Sequence, residues 1–311
     1  MEALKRWPGI RFLRLNTAGK EQGRFDVDQI DGLVPAFRRT VGMSSCTTRL
    51  GLPLYAIEQL CGSAILEWED NPALLRTGSF HQVRSASLDD LVAGLIGKAA
   101  PGEAPLDCAT LAVAVKRIGG RLKPWATILK ALLDGRVRHW LKDAQPTTAS
   151  ILVRSNDLAP FQHVIDAGAP TDLPVFPLIN QLDTAEVLNI STALLTALID
   201  DLGLVFLKSG QGLATSRDQV LALAAEIASN AEVSHHLGVH PTQVPGILDA
   251  RRIRRRRGAW CRRHLIDESI LPGVLADGRA MRRSARPHHQ RSSPVERNPA
   301  SSPRAAGRRI A

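Results

Sequence analysis

One spacing recurs along this chain and limits what it can fold into. Leu237, Val239, Val244, Ile247 and Ile253 stand at intervals that Leu50, Leu52, Ile57, Leu60 and Leu66 repeat, and that Leu188, Ile190, Leu195, Leu198 and Leu204 repeat again. Because 44% of the residues are apolar, five such positions coincide by chance in about one window in sixty, so the apolar frame alone is weak. The residue inside the first interval sharpens it. Gly238, Gly51 and Asn189 are types that tolerate a left-handed backbone. Small residues (Ser234, Thr47, Ala185) precede each frame by three places, where two crossing helices approach closely. His240, Pro53 and Ser191 fall at the start of each second helix, where proline and serine are good starters. The frame predicts three helix-turn-helix units. A looser copy runs from Thr110 to Val137, where Leu122, Leu129, Leu132 and Val137 keep most of the spacing and the turn becomes IGGRLKP. We assign that copy a core role, with Leu88–Gly97 supplying a packing helix.

In the last unit the helical pattern runs directly into Arg251, Arg252, Arg254, Arg255, Arg256, Arg257, Arg262 and Arg263. Forked, permanently charged donors of this density suit phosphate oxygens. Residues 251–311 hold 17 arginines, no lysine and four acids, 17 − 4 = +13, which leaves 10 − 13 = −3 for residues 1–250. Nucleic-acid contact is therefore expected of the C-terminal fifth alone. With His240 as cap and Pro241 as first helical residue, Thr242 and Gln243 would approach base edges while the arginines hold the backbone. Pro245 would then fall just past the first turn, where it removes a backbone bond. Trp260 is assigned to the core beside the basic strand.

Aromatic residues are only 4%, and alanine and leucine abound, a balance that favours helices over a sandwich or barrel. The expected fold is mainly α: tandem helix-turn-helix or winged-helix-like units with short β wings and a disordered basic C-terminal tail. Its segments are 1–34 (unassigned), 35–80 (unit 1), 81–175 (helical, with the degenerate unit 2), 176–228 (winged unit 3), 229–276 (unit 4 with its basic extension) and 277–311 (the tail). Within them, Asp183 or Thr184 is expected to cap the first helix of unit 3 and Ser191 the second. VFLKSGQGLAT has the form of a hairpin wing, and SILVR (150–154) that of a wing or edge strand followed by a proline-punctuated linker.

No catalytic constellation stands out. His235, His236 and His240 form HHxxxH, but the turn at Gly238 separates them, and solvated or capping roles fit better than metal ligation. GKAAPG and SGQGLATS lack the GxxxxGK[ST] phosphate loop, and the carboxylates are scattered or adjacent. Four cysteines without a CxxC pair read as reduced thiols. With no apolar run of membrane length and no secretory signal, the expected location is the cytoplasm. No catalytic residue, metal or cofactor is assigned.

The runs LGLPLYAIEQLCGSAILEWEDNPAL, LDTAEVLNISTALLTALIDDLGLV and AEVSHHLGVHPTQVPGILDARRI resemble the helix-turn-helix portion of TniQ-family proteins, accessory factors of bacterial transposons. The resemblance covers about residues 35–270. It implies a non-enzymatic DNA-binding adaptor that helps select a target site for transposition, with duplex DNA and ATPase or transposase subunits as partners. It also implies an N-terminal domain of which residues 1–34 would be a truncated remnant. The residues alone leave two other readings open, a stand-alone transcriptional regulator or a protein-interaction scaffold with a nonspecific basic tether, and they admit a homodimer.

Overall fold

The computed structural model of the chain describes residues 12–17, 20–26, 28, 31, 34–69, 82–164, 177–209 and 212–271. The expected tail, 277–311, lies outside the described residues, as does most of the linker after the second unit. Within residues 1–34, strands β1 (Phe12–Thr17) and β2 (Lys20–Phe25) pair antiparallel as a hairpin, and α1 (Val34–Arg38) follows.

The architecture is helix-rich but mixed α/β, not mainly α. One order of elements recurs, a short strand, two helices, two strands and a closing helix. First come β3 (Thr40–Gly42), α2 (Met43–Leu50), α3 (Leu54–Gly62), a bridge at Trp68, β4 (Gln82–Arg84) and α4 (Ser85–Lys98). The second set is β5 (Cys108–Thr110), α5 (Leu111–Ala114) with a 3₁₀ turn at Val115–Ile118, α6 (Trp125–Leu133), β6 (His139–Leu141), β7 (Ile151–Arg154) and a 3₁₀ segment, Ser155–His163. The third is β8 (Leu178–Asn180), α7 (Gln181–Val187), α8 (Thr192–Leu202), β9 (Leu207–Ser209), β10 (Gly212–Ser216) and α9 (Arg217–Glu226). The fourth is β11 (Ile227–Ala228), α10 (Asn230–Leu237), α11 (Val244–Ala250), β12 (Arg255–Arg256), β13 (Ala259–Cys261) and α12 (Arg262–Asp267).

In the last three sets the third strand lies centrally, giving orders β5-β7-β6, β8-β10-β9 and β11-β13-β12, all antiparallel. In the first set β4 is likewise flanked by β3 and by Trp68. SILVR is therefore a central strand and not an edge, and its Ile151 and Val153 are buried. Composition understated these sheets because strands of two to five residues need few β-branched or aromatic side chains.

The turn residues adopt the left-handed backbone that their types allow: φ is 65° at Gly51, 57° at Asn189 and 66° at Gly238. Each turn closes with the same bond, Leu52 N–H to Thr47 O (3.2 Å), Ile190 N–H to Ala185 O (3.0 Å) and Val239 N–H to Ser234 O (3.1 Å). This is the Schellman pairing that satisfies the orphan carbonyls of a helix end.

One apolar core runs through the first three sets, including Cys46, Ile57, Leu95, Leu132 and Val187, and a separate core in the fourth gathers Val233, Val244, Leu248, Trp260 and Leu265. Polar joints tie the sets together. Helices α3 and α6 start after Pro53 and Pro124 with no side-chain cap of their own. Their caps come from other sets. Asp183 accepts from Leu54 N–H at 3.0 Å, and Gln59 Oε1 accepts from Trp125 N–H at 3.0 Å while its amide donates to Lys123 O. Asp183 is thus not the cap of its own helix. Asn180 takes that role, accepting from Asp183 N–H at 2.8 Å, and Ser191 caps α8. Tyr55 donates to the Glu186 carboxylate, and its oxygen accepts from Lys123 N–H and Trp125 Nε1–H, both at 3.2 Å. Lys123 is fully buried, with Nζ 2.5 Å from Glu186 O. Burial lowers the Lys123 pKa and raises those of Tyr55 and Glu186.

Candidate nucleic-acid interface

The fourth set carries all the residues singled out for nucleic acid. Its first helix, α10, is capped by Ser229, whose hydroxyl accepts from Glu232 N–H at 3.1 Å. After Gly238 the chain does not enter the second helix at Pro241. His240 N–H donates to Gln243 Oε1 at 3.1 Å and Gln243 N–H donates to His240 O at 2.9 Å, a reciprocal turn that delays α11 to Val244. Pro245 then sits in the first turn of α11, where a helix has no backbone bond to lose. The residue preceding α11 is Gln243, so His240 is not the cap of the second helix that the spacing suggested.

Thr242 and Gln243 are exposed at this N-terminal end, with Thr242 Oγ1 2.8 Å from His240 Nδ1. Both side chains are held by the turn, which fixes their direction. The outward face of α11 continues with Gly246, Asp249 and Ala250, all exposed, while Val244 and Leu248 are fully buried.

The arginines divide into three groups. Arg251, Arg252, Arg254 and Arg263 are exposed and form no ion pair among the described residues. Arg255 and Arg256 are exposed but engaged: Arg255 pairs with Asp249 at 2.9 Å and lies over the Trp260 ring at 4.5 Å, and Arg256 pairs with Glu226 at 2.8 Å. Arg257, also exposed, donates from Nη1 to Leu202 O at 2.6 Å, the last carbonyl of α8. Arg257 and Gly258 both have positive φ, 50° and 73°, and form the two-residue turn of the β12–β13 hairpin.

Arg262 is a correction. It is 5% exposed and paired with Glu232 in a two-point contact, with Nη2 to Oε2 at 2.8 Å. Its Nε donates to Ala224 O at 2.9 Å and its Nη2 to Ile227 O at 2.8 Å. Gly120 N–H donates to the same Glu232 carboxylate at 3.0 Å. The guanidinium is consumed by the fold and unavailable to a phosphate. A Cβ at Gly120 would stand 2.7 Å from Arg262 Nη2, and one at Gly119 2.7 Å from Glu232 Oε1. That explains the two glycines in IGGRLKP. The sequence did carry a sign of the start of α10, the spacing Ser229-x-x-Glu232 of a capping box, but nothing local tied Glu232 to an arginine thirty residues on.

Residues 227–271 hold eight arginines and four acids, 8 − 4 = +4. Burial lowers the pKa values of His235 and His236 and Arg117 lowers both further, with Glu232 opposing the shift at His236. Trp260 is in the core, with its indole N–H donating to Asn230 Oδ1 at 2.6 Å.

The corresponding second helices of the other sets differ in what they present. The α3 face that includes Tyr55 and Glu58 is sealed in protein, Glu58 pairing with Arg217 at 2.8 Å, and α6 is buried on most sides. Only α8 and α11 are open. Among the described residues, no group of three His, Cys, Asp or Glu side chains is placed to hold a metal ion, and no single helix is long and apolar enough to cross a membrane. Comparison with known proteins found no matching family model, no matching characterised protein and no matching solved structure.

Proposed function

We propose that the chain is a non-catalytic protein that binds duplex DNA through its last helix-turn-helix unit, within a tandem array of winged-helix-like units. The observation that carries this reading is the set of exposed polar and basic side chains in the fourth unit. Helix α11 starts beside two exposed, oriented polar side chains, Thr242 and Gln243, and is followed by Arg251, Arg252 and Arg254, which with Arg263 on α12 are exposed and form no ion pair among the described residues. Helix N-terminal residues at base edges and arginines on phosphates are the division of labour of helix-turn-helix proteins. The order strand, helix, helix, strand, strand with the third strand central supports winged-helix units, since a winged helix uses that sheet.

The resemblance to the TniQ family supplies a biological setting, target selection in transposition, and rests on the helix-turn-helix runs alone. The test is a titration of the full chain with a labelled duplex of about 30 base pairs at several salt concentrations. Arg254→Ala with Arg263→Ala should weaken binding and flatten its salt dependence. No binding at 0.1 M salt, or a variant identical to the wild type, refutes the reading.

A further inference from the structure

We propose that Lys116 and Arg117 of the second unit, together with His235 and His236 of α10, form a phosphate-binding patch that takes the backbone of the same duplex beside the α11 site. This deepens the proposed function and rests on it.

Three features of the structure support it. First, charge is divided by unit. Residues 108–163 hold nine lysines and arginines and three aspartates, 9 − 3 = +6, whereas residues 177–226 hold two basic residues and six acids, 2 − 6 = −4. The second unit is therefore basic, like the fourth, a charge that the sum for residues 1–250 conceals. These two basic units touch directly: α10 packs along the 3₁₀ turn Val115–Ile118, and Gly120 N–H donates to Glu232 at 3.0 Å.

Second, that packing gathers donors that the fold does not use. His235 and His236 stand three and four places after Glu232, so they share the face of α10 that meets the turn. The turn contributes Lys116, exposed, and Arg117, half-buried, whose Nη1 donates to Asn156 Oδ1 at 2.6 Å. That bond orients the guanidinium without neutralising it. Among the described residues neither cation forms an ion pair, and neither half-buried imidazole makes a hydrogen bond. The carboxylate that acts on His236, Glu232, is already committed to Arg262 and Gly120. Asp157, beside Asn156, acts on Cys108. Burial, Arg117 and Lys116 all disfavour a charged His235, and an anion held among these groups reverses that balance.

Third, the patch adjoins the α11 site. His236 and Thr242 are six residues apart across the Gly238 turn, no more than about 22 Å even for extended chain, which is less than one turn of duplex. Helix-turn-helix proteins lay the first helix of the pair across the backbone while the second enters the groove. In the fourth unit that first helix is α10.

The experiment titrates the full chain with a labelled duplex of about 30 base pairs against salt, at about pH 7.5 and about pH 5.5, either side of the histidine range. Lys116→Gln with Arg117→Gln removes two contacts and should lower the salt slope by about 2 × 0.9 = 1.8. Phosphate favours the charged imidazoles, so the wild type should bind more tightly at the lower pH, and His235→Gln with His236→Gln should abolish that gain. Asp183, at about 7, titrates in both chains, so the difference between them isolates the imidazoles. Thermal melts followed by circular dichroism check that each variant folds. If the change at 116 and 117 lowers the melt, Lys116→Gln alone, at an exposed side chain, should still lower the slope by about 0.9. A slope unchanged by these substitutions, while Arg254→Ala with Arg263→Ala lowers it, means that the second unit stands clear of the duplex; the patch is then wrong and the proposed function survives. The same pH dependence in the wild type and the histidine variant also overturns the patch. If no substitution in either unit changes binding, the proposed function fails and this inference with it.

Discussion

Arg262 and Arg263 are adjacent in sequence and should behave as opposites. Arg262 is buried, bonded to both oxygens of Glu232 and to two carbonyls at the end of α9. Removing one partner of such a pair strands a carboxylate in a site with almost no solvent, at a cost of about 3–5 kcal/mol. Arg262→Ala should therefore lower the unfolding free energy by about that amount, since the lost bonds to Ala224 and Ile227 add to the stranded charge. Arg263 is exposed with no ion pair among the described residues, so Arg263→Ala should shift stability by no more than about 0.5 kcal/mol while reducing the salt slope of DNA binding by about 0.9. Urea unfolding followed by circular dichroism gives the first quantity and a salt titration of duplex binding the second. The pair Arg262→Met with Glu232→Leu is the control: replacing both charges by apolar groups should recover most of the loss. An Arg262→Ala chain as stable as the wild type but defective in binding would refute the assignment of Arg262 to the fold.

Other outcomes follow from the joints. Gly120→Ala drives a methyl to 2.7 Å from Arg262 and should cost about 1–3 kcal/mol in urea unfolding. Tyr55→Phe removes the oxygen that accepts from the buried Lys123 N–H and Trp125 Nε1–H, a loss of about 2–4 kcal/mol in the same assay. Burial pushes the Asp183 carboxyl up to about 7, well above the usual carboxylate range. A raised folded pKa means that the folded state binds the extra proton, so stability is full below the unfolded pKa and declines as pH rises toward 7. Asp183→Asn should match the wild type near pH 4 and exceed it at pH 8, and the same difference at both pH values would contradict the assignment. The four arginines that form no ion pair among the described residues imply a slope of about 4 × 0.9 = 3.6 in log affinity against log salt, roughly a 150-fold loss between 50 and 200 mM.

The turns were legible in the sequence because a left-handed backbone is demanded locally: Gly51, Asn189 and Gly238 announce it by type. The hairpin of VFLKSGQGLAT was legible for a similar reason. What escaped was set by partners distant in the chain. Arg262 has the same local surroundings as Arg263, and only the fold brings Glu232 and Gly120 to one of them. Asp183 looked like a cap for its own helix and caps α3, 129 residues away. The start of α11 was misplaced because a glutamine side chain returned to the His240 N–H, a choice between Pro241 and Val244 that spacing does not make. The α3 side chains Tyr55, Glu58 and Gln59 are buried by cover from the second and third units, which their own spacing does not announce.

The central claim is that this surface reads sequence. Selection of bound duplexes from a random pool by the full chain, at about physiological salt where nonspecific affinity is typically only 10⁻⁴ to 10⁻⁶ M, tests it most directly. The account requires an enriched motif whose information drops when Gln243 is changed to Ala. A pool that stays random, with binding that decays with salt and is indifferent to Gln243, would contradict it and leave a scaffold with a basic tether.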